Sequence, residues 1–390
     1  RTMPHLGEPP SPAKMPHPLP DRPRWDDHDD LLLPALAGDA EAELCVVGLG
    51  GTGLSCLTEA LSLGATSVIG IDAVGVAAGA AGRNGGLLLS GTSEYHHDLV
   101  RQIGRERAVA ITRLTNDEIQ RIAAEVPDDV RFTGSLRIAA SDDELADCEA
   151  QRDRMLVDGF PCDRYTGPEG RGLLIPTDAV MHPMRRCRRI AARALERGAR
   201  LFGGTRAFEL DAGVVRTDRG TIRARHVIVC VDGRLESLVP ALQGTVRTAR
   251  LQMLATAPAR EVAFPRPVST RHGYDYWQQL PDGCVLLGGG RDIAAEEEWT
   301  TDSTPSPTIQ NYLTTLVRER LGVHAAITHR WGAAVSYSDS IMPLFRDLGE
   351  GVRVVGAFNG TGNVVGALLG RAAAQCARRG HSAIADPFTD

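Results

Sequence analysis

The sequence predicts an α/β protein in which a strand–helix–strand domain is assembled from both ends of the chain, with an antiparallel sheet inserted between them. Three observations predict it. Leu44–Asp72 reads LCVVGLGGTGLSCLTEALSLGATSVIGID: an apolar run, a glycine-rich turn, a helix-patterned segment and a second apolar run that stops at an acid. A similar unit closes the chain, with Val352–Val355, then Gly360-Thr361-Gly362, then an apolar helix to about Arg378. Between them, residues 249–290 alternate as RLQMLATA, YDYWQQL, a turn at Pro281-Asp282-Gly283, and CVLLGGG.

The composition narrows the classes. A chain of 390 residues has room for two domains with substantial cores. A net charge of −6 argues against nucleic acid as a partner, because phosphate binding needs a concentrated basic face. No apolar run reaches spanning length and the N-terminus lacks a signal-peptide layout, so the expectation is a cytoplasmic protein without membrane contact. The eight cysteines show no CxxC and no Cys/His cluster at metal spacing, and Cys45, Cys56 and Cys230 read as small core residues; neither a disulfide framework nor a metal site is expected. Lys14, in the proline-rich start, is the only lysine. A Walker-type phosphate loop, a Schiff base and a catalytic lysine in the core are therefore excluded.

Taken in order, residues 1–40 carry PPSPAKMPHPLPDRPR and read as an extended or partly disordered arm, because proline at this density blocks helix and sheet pairing. In the turn that follows the first apolar run, Gly48 makes the reversal, Gly50 lets backbone approach a pyrophosphate, and Gly53 lets the helix pack against the strand. Leu49, Gly51 and Thr52 complete a helix N-terminus with free N–H groups and a positive dipole end. Asp72, at the end of the second strand, stands where a carboxylate accepts from an adenosine ribose. The pattern reads as a dinucleotide site; a glycine turn without a ligand is the bland alternative. Residues 98–126 have helical periodicity, 131–160 combine a strand at Ser135–Ala139 with an acidic helix, and Pro183 opens a helix that ends before Gly198. Strands are expected at 200–210, 213–217 and 226–231, and a helix at 308–321. Glu296-Glu297-Glu298 reads as a solvated face.

Five segments in order resemble the D-amino-acid oxidase, glycine oxidase and sarcosine oxidase family of flavoproteins, in a form nearest its gamma-glutamylputrescine oxidoreductase branch. They are Gly48–Gly53 with Asp72, Gly82-Arg83-Asn84-Gly85-Gly86, Met181-His182-Pro183 with its helix, Arg250–Pro258, and Arg330-Trp331-Gly332 through Gly360-Thr361-Gly362. The resemblance implies a doubly wound, Rossmann-like FAD-binding domain (41–100, 178–248 and 330–385) and an antiparallel substrate domain (101–177 and 249–329). It implies FAD held by the fingerprint, by Arg83, Asn84, Gly85 and Gly86 in a flavin-side loop, by Ala207 and Val231, and by Gly360, Thr361, Gly362, Asn363 and Val364. The implied reaction is oxidation of a C–N bond in an amine or amino-acid derivative by hydride transfer to flavin N5, giving an imine, with O2 or an unknown acceptor restoring the flavin.

Three departures qualify that reading. The family's carboxylate-binding arginine falls at about Val335, so a free α-carboxylate is expected to lack its anchor. No cysteine lies between Cys284 and Cys376, so FAD is expected to be non-covalent. The family's lysine near N5 cannot exist here. A redox-neutral or oxygenating flavin enzyme acting on a larger amine-bearing molecule is the alternative, and an NAD-dependent dehydrogenase a third class. Among site candidates, Tyr274 and Tyr276 share a strand face and form either an amine-binding aromatic wall or ordinary sheet packing, while Trp277 points to the core. His272 either hydrogen-bonds substrate or is a surface turn residue.

Overall fold

The computed structural model describes residues 21–27 and 31–389. Lys14 and most of the proline-rich arm lie outside these residues.

The first apolar run is strand Ala40–Val47, at the centre of a parallel array. Val68–Ile71 pairs with it on one side and Gly220–Val229 on the other. Arg200–Phe202 extends the array beyond Val68–Ile71, and Val352–Gly356 joins the end of Gly220–Val229. Sequence-distant stretches thus meet in one eight-stranded sheet, completed by the antiparallel strands Ala207–Asp211, Val214–Thr217 and Leu344–Gly349. Side chains alternate across a strand, so Leu44 and Val46 join one core and Cys45 and Val47 join another on the opposite face. Burial on both faces is why these strands read as unbroken apolar runs. The first core is covered by helices Gly51–Ser62, Pro183–Glu196 and Ala367–Arg379.

A second eight-stranded sheet, mostly antiparallel, carries the middle of the chain. Its long strands Val246–Pro258 and Ile327–Ser338 run side by side, followed by Cys284–Gly289 and Asp275–Gln279. Trp277, Leu254, Val285 and Leu287 pack there against Ile309 and Leu313 of helix Pro307–Thr315. The domain boundary expected at 330 falls inside Ile327–Ser338, which belongs to the second sheet.

Other expectations shift as well. The strand expected at 200–210 is broken between Phe202 and Ala207, and that at 226–231 is the end of the longer Gly220–Val229. Glu298 is not solvated: it is 1% exposed and accepts from Arg250 Nη2 at 2.7 Å, Gln252 Nε2 at 2.8 Å and Ser306 Oγ at 3.1 Å. Residues 21–27 of the arm are packed onto the body, with Trp25 only 3% exposed. All eight cysteines are free thiols. No described helix is long and apolar enough to cross a membrane, and no described His, Cys, Asp and Glu cluster has metal-site geometry.

Candidate active site

One cavity of about 1370 Å³ runs from the glycine turn to the second sheet. That exceeds the roughly 300–1,000 Å³ of a single small-molecule pocket. Its first wall is the turn after Ala40–Val47. Gly48 has φ +106°, and a Cβ on it would lie 2.8 Å from the Cys230 carbonyl oxygen. A Cβ on Gly53 would stand 1.9 Å from the Gly48 oxygen, so only glycine lets the helix start this close to the strand. Gly48, Gly50, Gly51 and Thr52 line the cavity; Leu49 and Gly53 lie behind it. Asp72 lines it too, with Oδ2 accepting from Leu49 N–H at 3.0 Å and Oδ1 from Val74 and Gly75 N–H at 2.9 and 3.0 Å. Burial raises its carboxyl above the usual range, and those three donors oppose the shift.

Arg186 was not singled out from the sequence. It is 1% exposed, lines the same wall, and places Nη1 3.3 Å from where a Cβ on Gly51 would be. Nη2 reaches Glu125 at 3.3 Å and Ser55 at 3.4 Å, while Nε meets no hydrogen-bond partner among the described residues. A buried guanidinium beside a helix N-terminus, with a donor to spare, suits a diphosphate. The signal for it was present: Arg186 sits on the stripe of Ile190 and Ala194, at i and i+4 spacing, in an otherwise apolar face.

The Arg83–Gly86 loop forms the next wall, and here the side chains work mainly on the protein. Arg83 Nε donates to the Gly332 carbonyl at 2.8 Å and Nη2 to Asp21 Oδ1 at 2.7 Å. Asn84 Nδ2 donates to the Ala80 and Ala81 carbonyls, and its Oδ1 accepts from Gly86 N–H and from Asn363 Nδ2 at 3.0 Å. Asn363 thus ties the loop to the turn Gly360-Thr361-Gly362, which also lines the cavity with Val364. Gly85 lines it; Gly86, at φ +73°, is pressed behind against Met181. Ala207 and Val231 lie on the lining as well.

The far wall is aromatic. Tyr274 and Tyr276 both face the cavity, and Trp277 is buried with Phe264 in the core packed on the second sheet. The Tyr276 ring lies across bare backbone: a Cβ on Gly288 would be 2.5 Å from it and one on Gly85 3.0 Å. That accounts for Gly288, the first of the three glycines closing CVLLGGG. Burial raises the Tyr276 phenol above its ordinary value. His272, at φ +53°, is exposed at the rim, with its ring 5.7 Å from that of Tyr95.

Val335 lines the cavity without charge, in register with Ala249. The cavity nonetheless holds a cation, Arg291, which enters from the turn after Cys284–Gly289. Its guanidinium stands 4.7 Å from the Tyr337 ring centroid, 5.1 Å from Trp299 and 5.6 Å from Tyr274. No described carboxylate pairs with it; the nearby Asp275 and Asp292 are taken by Arg271. A residue in the turn after another strand, far from 335 in sequence, could not be found from spacing.

A family model described as FAD dependent oxidoreductase (DAO) matches residues 43–376. The chain belongs to this family and is an FAD-dependent oxidoreductase. It is 26% identical over 376 residues to the probable oxidoreductase OrdL of Rhizobium meliloti (strain 1021), covering 89% of this chain and 85% of the relative. It is 27% identical over 376 residues to the gamma-glutamylputrescine oxidoreductase of Escherichia coli (strain K12), covering 86% and 83%. Among solved structures, the glycine oxidase from Geobacillus kaustophilus superposes with a TM-score of 0.74 at 16% identity, covering 90% of this chain and 98% of that one. An L-amino acid deaminase from Proteus vulgaris gives 0.73 at 16%, covering 93% and 96%. At that identity the structures speak for the fold alone. The glycine cradle, the orphaned Nε of Arg186 and Asp72 fit FAD: the turn and Arg186 would hold its diphosphate, and Asp72 its ribose.

Proposed function

We propose that this enzyme oxidises the C–N bond of a small amine that also carries an anionic group, leaving an imine that water hydrolyses. The observation that carries the reading is the single cavity joining the dinucleotide cradle to a wall of Tyr274, Tyr276 and Arg291. The relative named gamma-glutamylputrescine oxidoreductase supports an amine as substrate. FAD, when bound, supplies a hydride acceptor at N5. The chain supplies the rest. Arg291 offers a carboxylate a charge-assisted, fork-shaped partner that no neighbouring acid quenches. Tyr274 and Tyr276 offer π faces to the amine end. Tyr276, pressed on Gly85 and Gly288, packs the region between loop and sheet and excludes water from it.

The test is anaerobic mixing of the holoenzyme with amines in pairs, each amino acid beside the amine made by removing its carboxylate. Flavin bleaching by the carboxylate-bearing member, faster at higher pH as the amine loses its proton, is expected. Equal bleaching by both members would remove the role of Arg291. No bleaching by any amine, with FAD bound, would favour redox-neutral use of the cofactor.

A further inference from the structure

We propose that Asp21–Asp27, ahead of the first strand, is a strap belonging to the cofactor site, and that Trp25 is a positioning residue for the flavin-side loop. The inference concerns how FAD is held and stands whether or not the substrate is an amine.

Trp25 Nε1 donates to the Asn84 carbonyl at 2.7 Å. Its ring lies 4.9 Å from that of His182, and a Cβ on Gly86 would come within 3.1 Å of its Cζ2. One residue earlier in the loop, Trp331 Nε1 donates to the Arg83 carbonyl at 2.8 Å. Two indoles from opposite ends of the chain therefore hold two successive carbonyls. In a planar trans peptide the N–H points away from the C=O. The N–H groups of Asn84 and Gly85 are thus turned away from the indoles, and both residues line the cavity. Trp25 fixes the Asn84–Gly85 peptide plane, and with it the direction of a donor available to the cofactor.

The rest of the strap ties this contact to neighbouring elements. Asp21 accepts from Arg83 Nη2 at 2.7 Å and itself borders the cavity. Arg24 pairs with Asp282 at 2.6 Å, on the turn between two strands of the second sheet. Asp26 accepts from Arg188 at 3.1 Å, and Asp27 from Arg188 at 3.0 Å and Arg185 at 2.8 Å. Those arginines flank Arg186 on the helix that faces the glycine turn. Part-exposed ion pairs are individually weak. The buried indole supplies the anchoring, and the pairs set where the strap lies.

The experiment titrates FAD into apoprotein, reading flavin fluorescence for affinity, the visible absorption bands for the ring's surroundings, and melting of the apoprotein as control. Trp25→Phe keeps the ring and removes the donor. Loss of one neutral hydrogen bond should raise the Kd about 3- to 10-fold, with displaced flavin bands. The double variant Asp26→Asn/Asp27→Asn should give a smaller loss of affinity that fades at high salt. Wild-type affinity and spectrum in both variants, even with a lowered melting temperature, would make Trp25 core filling only and overturn the proposal. Should Trp25→Phe fail to fold, the double variant decides: wild-type affinity at low salt overturns the proposal, and weakened, salt-dependent binding supports it.

Discussion

Asp72 accepts from Leu49, Val74 and Gly75 N–H groups and still borders the cavity, so its replacement acts on turn and cofactor together. The sequence pattern gives Asp72 one expected role, as acceptor for an adenosine ribose. The geometry changes that expectation: Asp72→Ala should weaken FAD by about 1.5–3 kcal/mol per lost charged hydrogen bond and also lower the melting temperature of the apoprotein. Titration and melting on the same preparation check both, and an unchanged apoprotein would contradict the second. Asp178 offers a cleaner pH test. It is 1% exposed, accepts from Ser135 Oγ at 2.6 Å and Ser90 N–H at 2.9 Å, and burial lifts its carboxyl to about 6. An unfolded aspartate titrates near about 3.9. Between those values the folded chain keeps a proton that the unfolded chain has lost. The associated stability is complete below about pH 4 and drains away as pH rises through about 6. Asp178→Asn removes the titration, so the melting temperature of the variant relative to wild type should climb between pH 4 and 7; a constant offset would contradict this. What the residue scale hid from the sequence was contact at a distance. Val335 was correctly read as uncharged, but nothing near it in sequence announces Arg291.

At the scale of elements, helix Gly51–Ser62 is gripped by Ala367–Arg379 through glycines. A Cβ on Gly370 would stand 2.2 Å from the Thr52 carbonyl oxygen, and one on Gly366 2.5 Å from Thr52 Oγ1. The C-terminal helix therefore sets how the N-terminus of the cradle helix sits over the cavity. Gly370→Ala should force the helices apart at a cost of about 1–3 kcal/mol and weaken FAD with it. Denaturant unfolding and FAD titration read the two effects, and a stability loss with cofactor affinity intact would separate the helix contact from the site. Elements were legible where their burial leaves a periodic mark. Leu44–Val47 and Val68–Ile71 are buried on both faces and read as apolar runs. Ile327–Ser338 escaped: ITHRWGAAVSYS alternates poorly, and its polar side chains find partners distant in sequence, as with Arg330 on Gln310 and Ser336 on Asp232. Its pairing with Val246–Pro258 is long-range and leaves no local signal. The packed arm escaped for a related reason, since proline density describes the segment before Trp25 and says nothing of where one tryptophan docks.

At the scale of the whole molecule, both ends of the chain converge on one cavity, and the question becomes whether anything there could bond covalently to the flavin. A thioether needs a thiolate, and thiolate character falls as a thiol is buried away from positive charge. Cys187 and Cys230 are the cysteines on the cavity lining. Burial pushes the Cys187 thiol up to about 11; the Cys230 thiol is raised by its hydrogen bond with Cys56 and then by burial. Both therefore stay protonated near neutral pH. The remaining cysteines lie off the lining. Of the lining histidines, His96 is committed to Asp158 at 2.9 Å and to Thr112 at 3.1 Å, and His272 stands at the exposed rim. The cradle, in contrast, offers Arg186, Asp72 and a helix N-terminus, a set of reversible contacts sufficient to hold a dinucleotide. FAD should accordingly be retained through gel filtration yet released intact when the protein is precipitated with acid, because unfolding dismantles every one of those contacts at once. Yellow colour in the supernatant over a white pellet is the expected result. Colour that stays in the washed pellet would mean a covalent bond, and peptide mapping of the pellet would name the residue that formed it.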